Sequence, residues 1–338
     1  MVNVGLVGFG YWGPNLARNF SSRPGCSLLG ICEMNPIRAE LARQQYPGSL
    51  ITADYYKLLK IQEIDAILIA TPVGSHFELA RAALMAGKDI LVEKPFTTTL
   101  AEAEELVGIA KKNSRIIAVD HTFLFTGAVQ KIKKVVESGE MGDLLYIDSV
   151  RINLGLFQND VNVIWDLAPH DISIINHLVD LDPVAVTAVG ISHTSNGLED
   201  IAYVHIEYPG QLIAHLHLNW LAPAKIRRTL IGGTNKMIVY DDMEPSEKVK
   251  IYDKGIVVRN EQDVNSIHKV IVDYRTGDMV APKLDNKEAL SAEADHFIAC
   301  VRDRAQPLVD GQAGLRVVRI LEATQKSIQN NGQRMEIS

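Results

Sequence analysis

The sequence predicts an α/β protein in which an N-terminal doubly wound parallel sheet precedes an α+β domain built on a large, mostly antiparallel open sheet. Three observations carry this. Over roughly the first 120 residues, short apolar runs alternate with amphipathic stretches. A G-x-G-x-x-G sequence follows the first run directly. Beyond about residue 140 the runs lengthen, with few helical patterns between them.

The apolar runs of the first part are Val4 to Val7, Ser27 to Ile31, Ala66 to Ala70, Ile90 to Val92 and Ile116 to Val119. The stretches Asn15 to Phe20, Pro36 to Gln45, His76 to Ala86 and Leu100 to Lys112 read as helices, apolar residues recurring every three or four positions opposite charged ones. Strand and helix in alternation means βαβ units and a sheet covered on both faces. In the second part Leu144 to Val150, Val184 to Ile191, Ile201 to Tyr208, Leu212 to Trp220, Thr229 to Ile231 and Met237 to Tyr240 read as strands. The turn Tyr208-Pro209-Gly210-Gln211 joins two of them as a hairpin. Helical patterns return at Ala289 to Arg302 and Ala313 to Ile328, and the charged stretch Asp241 to Lys250 reads as a solvated turn. The expected domains are 1–121 and 122–338.

A chain of 338 residues, 47% hydrophobic, has material for about two cores. Its formal charge of -7, with no cluster of Lys and Arg, argues against nucleic acid or a membrane surface as the main partner and favours small molecules. Cys26, Cys32 and Cys300 are odd in number, widely spaced and without histidines at metal-ligand spacing, so no disulfide framework or metal site is expected. The first residues read as a buried strand with no export signal, and no run reaches membrane-spanning length, so a cytoplasmic protein is expected.

Gly8-Phe9-Gly10-Tyr11-Trp12-Gly13 opens the first helix. Such a loop needs a tight turn, then close backbone approach to a pyrophosphate, then close packing of helix on strand, with the phosphates at the positive helix end. Twenty positions after Gly13, Glu33 ends the second strand, where a carboxylate hydrogen-bonds the adenosine ribose. In this context the loop and Glu33 read as the dinucleotide-binding site of a Rossmann domain, the alternative being a glycine-rich turn with a solvated loop carboxylate. Glu33 repels the extra phosphate of NADP and favours NAD, although Arg38 could accept that phosphate. Tyr11 and Trp12 could pack on the cofactor or fill the helix-sheet interface.

Lys94, in Glu93-Lys94-Pro95, stands at the carboxyl end of a strand, where ligands bind in open parallel sheets, or else is a surface lysine before a turn. Asp166 and His170, four apart, share a face if their segment is helical. Hydride transfer from a carbinol needs a proton acceptor, and histidine is best poised for it near neutral pH. Otherwise the pair is a capping aspartate and a buried histidine. His215 and His217 alternate on one side of a strand and read as the polar face of a sheet, with Leu218 and Trp220 opposite as core.

Taken together, these residues resemble the Gfo/Idh/MocA oxidoreductase family, along nearly the whole chain. The likeness comprises the glycine loop, Ala70-Thr71-Pro72 followed by His76, Ala86-Gly87-Lys88 leading into Glu93-Lys94-Pro95, Ser138-Gly139-Glu140-Met141-Gly142, the Asp166/His170 pair and Asp310-Gly311. The resemblance implies hydride transfer between NAD(H) and a carbinol carbon of a sugar, inositol or nucleotide sugar. It implies that Lys94 hydrogen-bonds the reacting hydroxyl, that His170 is the general acid/base, and that Asp166 positions substrate and Lys94. Thr71, Pro72, His76 and Glu93 would lie along the cofactor, and Pro95 would follow a cis peptide bond. The open sheet of the second domain would form the interface of a homodimer or homotetramer. Two alternatives share the cofactor: redox-neutral glycoside cleavage through transient oxidation, and a cofactor-sensing protein without chemistry. The chain departs from its relatives after His121, where Thr122-Phe123-Leu124-Phe125-Thr126-Gly127 replaces a stretch that often carries arginine and proline. It also departs at Phe157 to Trp165, which lacks the glycines some members have.

Overall fold

The computed structural model describes residues 1–155, 160–195, 197–253 and 277–337, and the backbone of 255–259 and 271–275. It divides into two compact units, residues 1–126 with 287–322 and residues 127–286 with 323–338.

In the first unit, strands β1 (Val2–Val7), β2 (Cys26–Cys32), β3 (Leu50–Thr52), β4 (Ala66–Ile69), β5 (Asp89–Glu93) and β6 (Ile117–Asp120) form one parallel sheet in the order β3-β2-β1-β4-β5-β6. The order reverses between β1 and β4, the switch point at which the carboxyl ends of such a sheet leave a crevice. Helices α1 (Gly13–Ser21), α2 (Pro36–Gln45), α3 (Tyr55–Leu59), α4 (His76–Met85) and α5 (Leu100–Asn113) connect the strands. α2 is capped by the Asn35 side chain, and α5 by a reciprocal Thr99–Glu102 box. Val4, Leu6, Leu28, Leu68 and Leu91 from one face of the sheet enter a core with Leu16 and Phe20 of α1.

That core is completed from the far end of the chain, and here the structure differs from the expected division at residue 121. Helix α8 (Ala289–Asp303) presents Leu290, Ala294, Phe297 and Val301 to the same core, and the rings of Phe20 and Phe297 meet edge to face at 6.0 Å. The amphipathic face of α8 finds its apolar counterpart on α1 and β1 and therefore belongs to the first unit, together with most of α9 (Gly311–Gln329).

The second unit holds α6 (Gly127–Glu137), β7 (Leu144–Leu154), α7 (Val163–Leu178), β8 (Ala185–Ile191), β9 (Ile201–Glu207), β10 (Ile213–Asn219), β11 (Leu221–Gly233), β12 (Met237–Asp241), β13 (Val249–Tyr252), β16 (Met279–Val280) and β17 (Met335–Glu336), with β14 (Gly255–Arg259) and β15 (Ile271–Arg275) as a separate pair. Its nine-stranded sheet, β16-β13-β12-β11-β7-β10-β9-β8-β17, is antiparallel throughout except where β10 runs parallel to β7. β9 and β10 form the expected hairpin, with Gly210 at φ +80° in its turn. Period-two alternation buries Ala202, Val204, Ile206, Ala214, Leu216 and Leu218 and leaves Tyr203, His205, Ile213, His215 and His217 on the opposite face. Among the described residues no helix is long and apolar enough to cross a membrane.

Candidate active site

The glycine loop lies over the carboxyl end of β1. Gly8 has φ +92°, and a Cβ there would stand 2.5 Å from the Ala70 carbonyl oxygen, so only glycine fits. A Cβ on Gly13 would collide with the Gly8 carbonyl, and one on Gly10 would reach the Arg38 guanidinium at 3.4 Å. The N-terminus of α1 receives no side-chain cap. Glu33, 8% exposed, braces the loop: its carboxylate accepts from the backbone N–H of Phe9 at 2.6 Å and from that of Asn35 at 2.7 Å. Tyr11 and Trp12 are exposed, 79% and 45%, and stack edge to face at 5.5 Å, so they do not fill the helix-sheet interface. An uncapped helix end, a cradle closed to a Cβ at Gly8 and Gly13, and a carboxylate at the end of β2 fit the pyrophosphate and ribose of a dinucleotide.

The loops after β4 and β5 are tied together by His76. One ring nitrogen lies 2.8 Å from the Thr71 carbonyl oxygen and the other 2.8 Å from that of Pro95. The imidazole is completely buried, and burial, outweighing the carbonyl partners, holds its pKa below the ordinary value. His76 is thus a staple between two loops with no face open to a ligand. Thr71 accepts a hydrogen bond from the Ser75 hydroxyl at 2.7 Å, and Pro72 is exposed. Glu93 is buried, and burial together with the Asp120 carboxylate pushes its pKa well above the usual range. Lys94, half-buried, precedes the cis peptide to Pro95 that the family resemblance implies.

In the second unit, α7 begins at Asn162, whose side chain accepts from the N–H groups of Ile164 and Trp165 at 3.1 Å each and donates to Glu199 at 2.6 Å and Gln325 at 2.7 Å. The segment is helical, so Asp166 and His170 lie one turn apart on one face, both half-buried. The Asp166 carboxylate accepts from the indole N–H of Trp220 at 3.2 Å. Trp220 is 1% exposed and packs so closely on Gly155 that a Cβ there would come within 2.6 Å of the indole. Next to His170, Asp171 forms a buried bidentate pair with Arg151 of β7, both contacts 2.8 Å, which fixes α7 to the sheet. Leu167, Ala168 and Pro169 between them are core. Of the segment 157–165, residues 157–159 lie outside the described residues.

Sequence reasoning missed Asp120 and Glu293, which lie beside Glu93 in the first unit, and the buried His121 next to Asp120. The pairing of β5 with β6 could have signalled Asp120, the residue opposite Glu93. Nothing local marks Glu293, 200 positions away on α8. It also missed the company of His215: Asp148 at 2.9 Å, the Tyr203 ring stacked on His215 and His217, and His205 tilted against His215. Among the described residues no group of three or more His, Cys, Asp or Glu side chains is arranged to hold a metal ion.

Comparison with known proteins agrees with this geometry. The model of an oxidoreductase family with an NAD-binding Rossmann fold, GFO/IDH/MocA, matches residues 2–121, and that family's C-terminal domain matches residues 129–239. An uncharacterized oxidoreductase of Escherichia coli, YdgJ, is 30% identical over 262 residues, 73% of each chain. UDP-N-acetylglucosamine 3-dehydrogenase of Acidithiobacillus ferrooxidans is 26% identical over 94% of each chain. A solved structure of that dehydrogenase superposes with a TM-score of 0.82 at 24% identity, covering 97% of this chain and 98% of the other, and shows the same fold.

Proposed function

We propose, from the premise that the chain belongs to the GFO/IDH/MocA family of NAD-binding oxidoreductases, that it moves hydride between NAD and a carbinol carbon of a sugar, inositol or nucleotide sugar. The observation that carries the reading is the Asp166/His170 pair, one helical turn apart on α7 and partly open while the residues between them are core. His170 takes the hydroxyl proton in the oxidative direction and returns it in reduction. Asp166, held by the Trp220 indole, positions the substrate. Lys94 hydrogen-bonds the reacting hydroxyl and favours its oxyanion character as the proton leaves.

NAD supplies the hydride acceptor or donor when bound. Gly8, Gly10 and Gly13 would leave room for its pyrophosphate, Glu33 would meet the ribose and disfavour a 2′-phosphate, and Tyr11, Trp12, Arg38, Thr71 and Pro72 would line its path. His76, Glu93 and Pro95 shape the loops beside it. A nucleotide-sugar substrate is supported by the dehydrogenase from A. ferrooxidans, which matches over nearly its whole length. The exposed Val189, Ile191, Tyr203, Ile213 and Ile226 on the second unit's sheet support self-association there as a homodimer or homotetramer. The three free, buried cysteines support a reducing, cytoplasmic setting.

The test is a screen of sugars, inositols and nucleotide sugars for NAD reduction, followed by Lys94→Ala and His170→Ala in the best case. Both variants should lose turnover while binding NAD as tightly as the parent. Undiminished turnover in either removes that residue from its role.

A further inference from the structure

Three carboxyl groups meet in the first unit. Glu93 ends β5, Asp120 ends β6 opposite it in the parallel register, and Glu293 arrives from α8. None is more than 7% exposed. Asp120 is the centre: its carboxyl is hydrogen-bonded to those of Glu93 and Glu293 and accepts from the Thr122 hydroxyl. A hydrogen bond between two carboxyl groups needs a proton on one of them, so two such bonds converging on Asp120 need two protons. Burial and Asp120 push both glutamates well above the usual carboxylate range, the direction that goes with protonated Glu93 and Glu293.

The charges around the cluster agree. Lys94 is the cation that acts on it, and its backbone N–H donates to the Glu93 carboxyl. The histidines nearby supply no second positive charge. His121, 1% exposed, has no hydrogen-bond partner on either ring nitrogen, and burial and Lys94 hold its pKa down to about 3. Burial lowers His76 likewise. His296, on α8, lies below its ordinary value through burial and is engaged by the Leu308 N–H. Among the described residues Lys94 is the cation that acts on Glu93, and a low-dielectric interior disfavours three negative charges side by side.

We propose that Glu93, Asp120 and Glu293 share two protons and one negative charge, and that this set holds Lys94 in place, making Asp120 and Glu293 positioning residues for the reaction. The proposal rests on the reading of Lys94 as the group that meets the substrate hydroxyl. The path of support runs from Glu293 through Asp120 and Glu93 to the Lys94 backbone. Removing the Glu293 donor leaves the Asp120 carboxylate short of a hydrogen bond, and the buried charge then competes for the lysine ammonium.

The first readout needs no turnover. Infrared spectroscopy of the NAD-loaded protein at pH 8 should show the C=O stretch of protonated carboxyl groups, and Glu293→Gln should remove one component. Stability gives an independent check. Folded Glu293 keeps a proton that the unfolded chain loses above the ordinary glutamate range, so the parent's stability falls as pH rises. As pH rises above the ordinary glutamate range its folding equilibrium should weaken relative to Glu293→Gln, by at most about tenfold per pH unit for the one retained proton. Kinetics close the test, using the most active compound of the sugar and inositol screen. Glu293→Leu should lower kcat by about tenfold or more with little change in NAD affinity, and Glu293→Gln, which still donates to Asp120, should recover most of it. No protonated carboxyl band, parallel pH curves, or equal kcat in the Gln and Leu variants would each overturn the proposal. If Lys94→Ala keeps full turnover, the role of the lysine fails while the infrared and stability results still stand or fall on the shared protons.

Discussion

Replacing Glu33 with Gln tests whether this side chain builds the cofactor loop as well as meeting the cofactor. The carboxylate accepts two backbone N–H groups, from Phe9 at 2.6 Å and from Asn35 at 2.7 Å, one on each oxygen. An amide offers one oxygen and turns its NH2 against the other N–H, so one charge-assisted bond is lost, the other is weakened, and a donor faces a donor. Hydrogen bonds to charged groups contribute about 1.5–3 kcal/mol each, so the substitution should cost roughly 2–3 kcal/mol. In a unit of this size that lowers Tm by about 4–12 °C, read by calorimetry without ligand. Because the Phe9 amide belongs to the glycine loop, NAD affinity should fall by about tenfold or more, equivalent to 1.4 kcal/mol, read by titration calorimetry. An unchanged Tm with weakened NAD binding would refute the bracing argument and leave Glu33 as a ligand contact alone. A lowered Tm with unchanged affinity would show that the loop does not depend on its brace.

Two further predictions concern the frame. Asp171→Asn breaks the buried pair with Arg151 and should destabilise the second unit by about 3–5 kcal/mol, whereas the double change to Arg151→Met and Asp171→Leu should cost less; urea unfolding decides, and a single variant no weaker than the double would contradict the pairing. Burial pushes the Cys26 and Cys32 thiols up to about 11, so at pH 8 only ~0.1% of either is thiolate and iodoacetamide should label neither until the protein unfolds. The sign of the linked effect follows: the folded state keeps protons that the unfolded chain releases from about pH 9, so these thiols draw stability down as pH climbs from about 9 to 11. Labelling at the rate of an exposed cysteine would contradict both statements.

The first unit was legible because its instructions are local. The run Val4 to Val7, the three glycines and the apolar spacing of Pro36 to Gln45 each specify their element with little reference to the rest, and the structure returns them nearly at the expected bounds. The second unit was legible as strands but not as a sheet. Alternation in Leu212 to Trp220 tells which side is buried, yet nothing in it says that β10 runs parallel to β7, a pairing between residues 67 positions apart in sequence. The place of α8 was illegible for the same reason: its periodicity announces an apolar face without naming Phe20 as the residue that receives it.

The same limit applies to the site, and it separates two kinds of residue. Glu33 could be placed at the end of a strand because twenty positions from Gly13 is a distance along the chain. Its bond to the Phe9 amide crosses from β2 to the loop after β1 and exists only once those strands are neighbours. Glu93 was visible beside Lys94, but whether it is a carboxylate or a carboxylic acid depends on Asp120 from the next strand and Glu293 from α8. Residue identity is written locally, whereas protonation and the exact aim of a side chain are properties of what the fold brings around it. That is why the glycine loop could be read at once, while the support beneath Lys94 needed the tertiary structure.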